Sequence, residues 1–146
     1  MRNVIVAAIQ MRCVPDPAEN LRTAERLVRQ AAGQGAQVVL LPELFEREYF
    51  CQHRRYDFYA YATPTDENPA VQMGIRLARE LHVVLPVSFF ERDCNNFYNT
   101  VACIDADGTL LGPWTAPSPG TTDPSRCRRR CSQISSGTRG SRCRRA

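Results

Sequence analysis

The sequence contains no lysine, because all 19 of its basic residues are arginine. A mechanism that needs a lysine ammonium therefore cannot run on this chain alone. Long apolar runs are also missing, since none approaches the ~18 residues that cross a bilayer, and residues 3–10 are too short an apolar stretch for a secretory signal. We expect a cytoplasmic protein with no membrane partner, whose seven cysteines are reduced thiols.

Charge divides the chain into two parts. Residues 1–112 carry 11 arginines and 14 acidic residues, whereas residues 113–146 carry eight arginines and a single acid, Asp123. The second part has only Trp114 and Ile134 as large apolar residues, too few to offset the entropy of ordering the chain. We expect one globular domain over residues 1–112, followed by a disordered tail over residues 113–146.

Apolar residues recur at two periods in the first part, and each period predicts one kind of element. Leu21, Ala24 and Leu27 follow the steps of an amphipathic helix, whereas short runs rich in Val and Ile predict strands buried on both faces. Asn68 is a suitable N-cap, with Pro69 at the first helical position. The predicted elements are strands over residues 3–10, 38–41, 83–90 and 97–104, a further strand from Thr109, helices over residues 18–34 and 69–81, and a long loop over residues 45–65.

This order of elements predicts an α/β fold in which helices cover a mostly buried sheet. Right-handed crossovers would put both helices on the same face of that sheet. The pattern stops after Gly112, which leaves the strand from Thr109 without a partner.

The composition beyond Gly112 is unnatural for a folded protein. Arg, Pro, Ser, Thr, Gly, Ala and Cys are what GC-rich DNA yields when it is translated out of frame, and a lysine-free, arginine-rich body is what it yields in frame. Our hypothesis is that the reading frame shifts near Gly112 and that the rest of a longer protein is lost; the alternatives are a genuine basic tail or an alternatively spliced end. Sequencing past the Gly112 codon tests this, because the lack of an intact downstream frame would refute it.

Glu43 is the strongest candidate for a chemical role. It follows Pro42 directly after the strand over residues 38–41, and open α/β sheets place their ligands at the carboxyl ends of their strands. Desolvation there would raise the pKa of the carboxylate toward the range that is useful for a general base. The alternative is that Glu43 caps a loop or pairs with an arginine.

Four segments together resemble the nitrilase, or carbon–nitrogen hydrolase, superfamily, in its order and at its spacing. They are Val6-Ala7-Ala8-Ile9-Gln10-Met11, Ala31-Ala32-Gly33-Gln34-Gly35-Ala36, Leu40-Leu41-Pro42-Glu43-Leu44-Phe45 and Phe97-Tyr98-Asn99-Thr100. Within the superfamily, three further segments resemble the N-carbamoylputrescine amidases: Glu43-Leu44-Phe45-Glu46, Tyr49-Phe50-Cys51-Gln52 and Ser88-Phe89-Phe90-Glu91. The resemblance covers residues 3–112, less than half of a catalytic domain of this superfamily.

The resemblance implies the N-terminal portion of a four-layer α-β-β-α sandwich with a Glu, Lys, Cys triad and no cofactor or metal. The thiolate attacks the carbonyl, the glutamate is the general base and the lysine stabilises the oxyanion. The implied substrate is a carbamoylated amine, and the intact form would hydrolyse N-carbamoylputrescine to putrescine, carbon dioxide and ammonia in polyamine biosynthesis. Superfamily members assemble through later elements, so the resemblance does not by itself predict a homo-oligomer here.

Only the glutamate of the triad transfers to this chain, onto Glu43. The lysine would follow the strand from Thr109, where the sequence has Pro113-Trp114-Thr115, and the nucleophile would lie on a later strand. Cys51 matches a pocket-lining or structural cysteine of the superfamily rather than the nucleophile. We therefore expect the chain as written to be inactive.

Several other residues admit two interpretations. Asn99 either bonds near Glu43 or satisfies buried backbone. The loop tyrosines and acids either line a substrate mouth that attracts a cationic amine or form a solvated face: Tyr49, Tyr56, Tyr59, Glu46 and Glu48. His53 and His82 are isolated from any ligand pattern.

The tail offers a second, noncatalytic hypothesis. Its arginines could bind nucleic acid or acidic partners without specificity. A salt-dependent DNA shift that disappears when residues 113–146 are deleted would favour this hypothesis, and the absence of any shift at low salt would leave it without support. Cys127, Cys131 and Cys143 lack a fourth zinc ligand at suitable spacing. Whether the chain is an enzyme fragment or a noncatalytic binder, residues 1–112 would expose one face of the sheet, which predicts aggregation or proteolysis.

Overall fold

Two α-helices and five β-strands form the described part of the chain. The structure is a computed structural model that describes residues 3–53 and 55–117, the last five of these by their backbone only. The elements are β1 (Val6–Ala8), α1 (Pro17–Gly33), β2 (Val38–Leu40), α2 (Pro69–Leu81), β3 (Leu85–Asp93), β4 (Asn96–Ile104) and β5 (Leu110–Pro117), with two 3-10 helices at Phe50–Gln52 and Tyr56–Tyr61. No helix among these residues is long and apolar enough to cross a membrane.

Both α-helices begin at a capped proline. The Asp16 side chain accepts from the N–H of Ala18 at the start of α1. Asn68 accepts from the N–H of Val71 at the start of α2, and Pro69 follows it. These contacts satisfy backbone donors that have no partner within the helix. The predicted start of α2 is therefore confirmed.

The sheet changes from parallel to antiparallel along its width. β1 pairs with β2 in parallel, and β3, β4 and β5 form an antiparallel meander. Val84, just before β3, joins the two parts, because its carbonyl accepts from the N–H of Val39 at 3.0 Å. The spatial order is therefore β1-β2-β3-β4-β5, with the carboxyl end of β2 beside β3.

Both helices pack side by side against one face of this sheet, as the crossover rule predicts. The core between them and the sheet is closed, since Val28 of α1, Leu77 of α2 and Val87 of β3 are fully buried. At the surface of the helix pair, Glu25 of α1 bonds Arg76 of α2 at 2.7 Å. The predicted mixed helix and sheet fold is confirmed.

The opposite face of the sheet is open at β1 and β2. Val4, Ile5, Val6 and Leu40 are 57 %, 54 %, 64 % and 49 % exposed. The expectation that the first strand is buried on both faces is therefore wrong. The strand is exposed because β2 is its one strand partner among residues 3–53 and 55–117, and because no described helix covers its outer face. The expectation of one exposed sheet face holds at β1 and β2. On β3 the same face is partly covered, since Ser88 is buried and Phe50 packs on Phe90.

The fifth strand corrects two further expectations. β5 pairs antiparallel with β4, with Leu110 opposite Ile104 and Thr115 opposite Thr100. The strand therefore has a partner, and it continues beyond Gly112 to Pro117. Backbone hydrogen bonding to the edge of β4 does not depend on the side-chain pattern from which the end at Gly112 was predicted. The rest of the predicted tail, residues 118–146, lies outside the described residues.

Candidate active site

A sharp elbow after β2 carries Glu43. Leu44 has a left-handed backbone with φ of 51°, which is strained for a residue with a large side chain. The elbow persists because Leu44 and Phe45 are buried, at 3 % and 0 % exposure, and because the N–H of Leu44 donates to the Ser88 hydroxyl at 3.2 Å. Glu43 itself is left exposed beside the sheet.

Two side chains donate hydrogen bonds to the Glu43 carboxylate. The Asn99 amide donates from Nδ2 to Oε1, and the Tyr49 hydroxyl donates to Oε2 at 3.4 Å. Asn99 lies on β4, opposite Phe90 of β3, so the carboxylate is directed at the sheet rather than into bulk water. Of the two interpretations of Asn99, the structure supports the hydrogen bond to Glu43. Glu43 makes no ion pair with an arginine of the described residues.

The expected desolvation of Glu43 is not present. The residue is exposed, because no element of residues 3–53 and 55–117 covers this part of the sheet face. What holds the carboxylate here is directional hydrogen bonding, not loss of water.

Glu46 has a structural role that its sequence position did not reveal. Its carboxylate accepts from Asn68 at 3.0 Å, and its backbone carbonyl accepts from Asn20 at 3.1 Å. Both asparagines are buried, at 0 % and 1 % exposure, and stand in the opening segments of the two helices. The elbow is therefore tied to both helices, and Glu46 is not the solvated or amine-attracting acid that was considered. Glu48 is exposed.

Tyr49 and Cys51 are both influenced by the charge of Glu43. That charge, followed by burial, raises the pKa of the Tyr49 hydroxyl, which keeps the phenol protonated as a donor to Glu43. Burial, and then the Glu43 charge, raises the pKa of the Cys51 thiol. A raised thiol pKa disfavours the thiolate that nucleophilic attack needs. This agrees with the view that Cys51 is not the nucleophile.

Comparisons with known proteins place this geometry in a family. The sequence profile of the carbon-nitrogen hydrolase family matches residues 5–116. The chain belongs to the carbon-nitrogen hydrolase family.

Two curated relatives and one solved structure illustrate the match. The chain is 54 % identical to "N-carbamoylputrescine amidase" of Oryza sativa subsp. japonica over 109 residues, covering 75 % of the chain and 36 % of the relative. It is 43 % identical to "Citrullinase" of Francisella tularensis over 112 residues, covering 77 % and 39 %. The carbon-nitrogen hydrolase of Helicobacter pylori G27 shares the fold, with a TM-score of 0.70 at 23 % identity, covering 77 % of this chain and 39 % of that one. The chain thus spans little more than a third of these proteins.

Of the triad that the resemblance implies, this carbon-nitrogen hydrolase chain is predicted to carry only the glutamate, Glu43. It has no lysine at any position. The thiols at Cys13, Cys51, Cys94 and Cys103 are unpaired with one another in the described region. Nor do residues 3–53 and 55–117 hold three metal-binding side chains in one group; Cys127, Cys131 and Cys143 lie outside them.

An aromatic cluster borders the Glu43 face of this carbon-nitrogen hydrolase chain. Phe50 packs against Phe58 and Phe90 at ring distances of 5.5 and 5.2 Å, and Tyr59 packs on Phe97 at 4.5 Å. Of the three tyrosines proposed for a substrate mouth, the structure brings Tyr49 to Glu43. Tyr56 and Tyr59 lie against each other at 6.3 Å instead.

Sequence reasoning missed the structural roles of three residues that build the site: Ser88, Asn20 and Glu46. A signal existed for Ser88, since a lone hydroxyl within the apolar run over residues 83–90 indicates a buried hydrogen bond. Asn20 and Glu46 occupy positions typical of solvent-facing residues, and only the tertiary packing shows that they meet.

Proposed function

We propose that this chain supplies the general base of an amidase that hydrolyses N-carbamoylputrescine to putrescine, carbon dioxide and ammonia, a reaction of polyamine biosynthesis. The observation that carries the proposal is the elbow that presents Glu43 to Asn99 and Tyr49. The 54 % identity to the rice N-carbamoylputrescine amidase supports the substrate.

The mechanism implied by the family assigns the proton transfers to Glu43. A cysteine thiol, provided by a part of the domain that this chain does not match, loses its proton to the Glu43 carboxylate and attacks the ureido carbon. The bond from that carbon to the putrescine nitrogen then breaks, and the proton on Glu43 passes to the leaving amine. Water, deprotonated by Glu43, then attacks the carbamoyl-cysteine. The carbon–sulfur bond breaks, Glu43 returns the proton to the cysteine thiolate, and the released carbamic acid decomposes to carbon dioxide and ammonia.

The surroundings of Glu43 suit a proton acceptor that must return its proton. Both carboxylate oxygens accept hydrogen bonds, which fix the plane of the carboxylate. The exposed side of Glu43 leaves room for a substrate. Positioning of this kind accounts for large rate effects, since a misplacement of ~1 Å can lower the rate about 100-fold.

We further propose that the chain by itself does not catalyse the reaction. No lysine is present to stabilise an oxyanion, and arginine does not replace lysine at a tight site. The raised pKa of Cys51 leaves little thiolate for attack.

Citrulline is the second candidate substrate, because of the 43 % identity to the citrullinase. Both candidates carry a ureido group on a primary carbon chain, and they differ at the far end, where citrulline has a carboxylate and N-carbamoylputrescine has only an ammonium. Residues 1–112 carry more acidic than basic residues, 14 against 11, which favours the cation that lacks a carboxylate.

The test joins residues 1–116 of this chain to the remaining part of the rice relative. We expect ammonia release from N-carbamoylputrescine, and slower release or none from citrulline. Glu43→Gln in the same protein should lower kcat by about 100-fold or more. A folded joined protein that hydrolyses neither substrate, or one whose Glu43→Gln variant keeps full activity, would refute the proposal. The 146-residue chain, assayed in parallel, should release no ammonia.

A further inference from the structure

Ser88 lies at the centre of a ring of hydrogen bonds that includes Glu43. Its side chain is buried within β3, at 8 % exposure. The Ser88 oxygen accepts from the N–H of Leu44 at 3.2 Å, and its O–H donates to Oδ1 of Asn99 at 3.5 Å. The other end of that amide donates to Glu43. Because Glu43 and Leu44 are consecutive, these contacts form a closed ring.

The ring has one direction. The Glu43 carboxylate can only accept, so Nδ2 of Asn99 faces it, and Oδ1 of the same amide accepts the single proton of Ser88. With Oδ1 turned to Ser88, the N–H group of Asn99 faces the carboxylate. The reversed amide would set its carbonyl oxygen against the Glu43 carboxylate, which is repulsive.

The long Ser88 to Asn99 contact orients more than it stabilises. At 3.5 Å it is longer than the usual O–H to O distance of about 2.7 to 2.8 Å. It supports the amide orientation in which Nδ2 of Asn99 faces the carboxylate, whereas the shorter bond from Leu44 anchors the strained elbow. The strand register supports the Ser88 to Asn99 contact, since Ser88 lies on the sheet face of Asn99, two pairs along the ladder.

We propose that Ser88 is a positioning residue for Glu43. It holds the elbow through the N–H of Leu44 and turns the Asn99 amide so that its N–H groups face the carboxylate. The chemical purpose of this arrangement rests on the proposed function of Glu43, whereas the ring itself can be measured without turnover.

The experiment records the side-chain amide signals of Asn99 in the 15N-labelled 146-residue chain by NMR, assigned by their loss in Asn99→Asp. Glu43→Gln should shift these signals, because it removes the charge that they face. In the Ser88→Ala background the same change should produce no shift, whereas Ser88→Thr, which keeps the donor and the acceptor, should retain it. Thr100→Val is the matched control: Thr100 is also buried on β4, but its hydroxyl bonds Glu91 at 2.8 Å on the helix face.

The inference is overturned if Glu43→Gln shifts the Asn99 amide signals as much in the Ser88→Ala background as in the wild type. It is also overturned if this shift, called the NMR response below, is lost in the Thr100→Val background. If Ser88→Ala does not fold, Ser88→Cys replaces it as a weak donor of similar size, and a response equal to that of Ser88→Thr overturns the inference. An inactive joined protein with the NMR response intact rejects the proposed function alone. An active one without the response rejects only the role of Ser88.

Discussion

The side chain of Asn68 performs two tasks at once: it caps α2 through the N–H of Val71 and donates to the Glu46 carboxylate at 3.0 Å. Replacement by alanine therefore removes a cap and leaves a half-buried carboxylate without this donor. Asn68→Ala should lower the free energy of unfolding by about 2 to 3 kcal/mol, as measured by urea titration of the full chain. Asp16→Ala, at the exposed cap of α1, should cost about 1 kcal/mol or less; equal losses would contradict the double role.

Gly74 sets the distance between α2 and the sheet. A Cβ at this position would lie 2.7 Å from Cδ1 of Ile104 and 2.8 Å from Cγ2 of Val87, and both neighbours are fully buried. Gly74→Ala should lower the free energy of unfolding by about 1 to 3 kcal/mol, which the urea midpoint reports. Gly33→Ala is the control, because nothing lies within 4 Å of its added Cβ; it should change stability by less than about 0.5 kcal/mol. A destabilised Gly33→Ala with an unaffected Gly74→Ala would refute the packing argument.

The ion pairs between α1 and α2 predict a pH dependence of stability. Hydrogen bonds from Arg76 and then Arg29 lower the pKa of Glu25 from 4.5 to about 2. Because the folded pKa lies below the unfolded one, the contribution is present above about pH 4.5 and disappears as the pH falls towards 2. The pairs are partly exposed, so we expect about 1 kcal/mol after screening by solvent.

The measurement compares wild type with Glu25→Gln by urea titration between pH 2 and pH 7. The stability difference should be about 1 kcal/mol at neutral pH and close to zero near pH 2. Glu19→Gln serves as the control, since Glu19 makes no ion pair among the described residues. A Glu25→Gln difference that is constant over this range would contradict the assignment.

Asn99 should influence turnover rather than binding. In the joined protein, Asn99→Leu removes the donor to Glu43 and should lower kcat about 100-fold with a smaller change in KM. Steady-state ammonia release from N-carbamoylputrescine measures both constants. Thr100→Val, its neighbour on β4, should leave kcat within about threefold, because its hydroxyl bonds Glu91 instead. Similar losses in the two variants would point to general damage to the strand.

The sequence predicted best those features that depend on neighbouring residues in the chain. The Asn68 and Pro69 signal was confirmed as the start of α2, because capping is decided within one helical turn. Burial of the first strand was predicted wrongly, since Val6 is 64 % exposed. Apolar composition shows that a strand can be buried, but the layer that would cover it belongs to other parts of a fold.

The candidate site shows the same division between local features, which the sequence predicts, and contacts between distant residues, which it does not. Glu43 was selected by its place after a strand, and the structure does direct its carboxylate at Asn99. The left-handed backbone of Leu44 could not be predicted, since leucine rarely adopts it. Only the tertiary structure explains it, through the burial of Leu44 and the bond from its N–H to Ser88. Contacts between residues 26 positions apart, such as Asn20 with Glu46, depend on how helices and loop pack in space.

Every hydrogen-bond partner of the Glu43 carboxylate named above lies at or before position 99 in the chain. Proteins are synthesised from the N-terminus, so in a longer protein of this family these partners leave the ribosome before any later segment does. A substitution confined to a later segment would therefore change none of the groups that hold the Glu43 carboxylate.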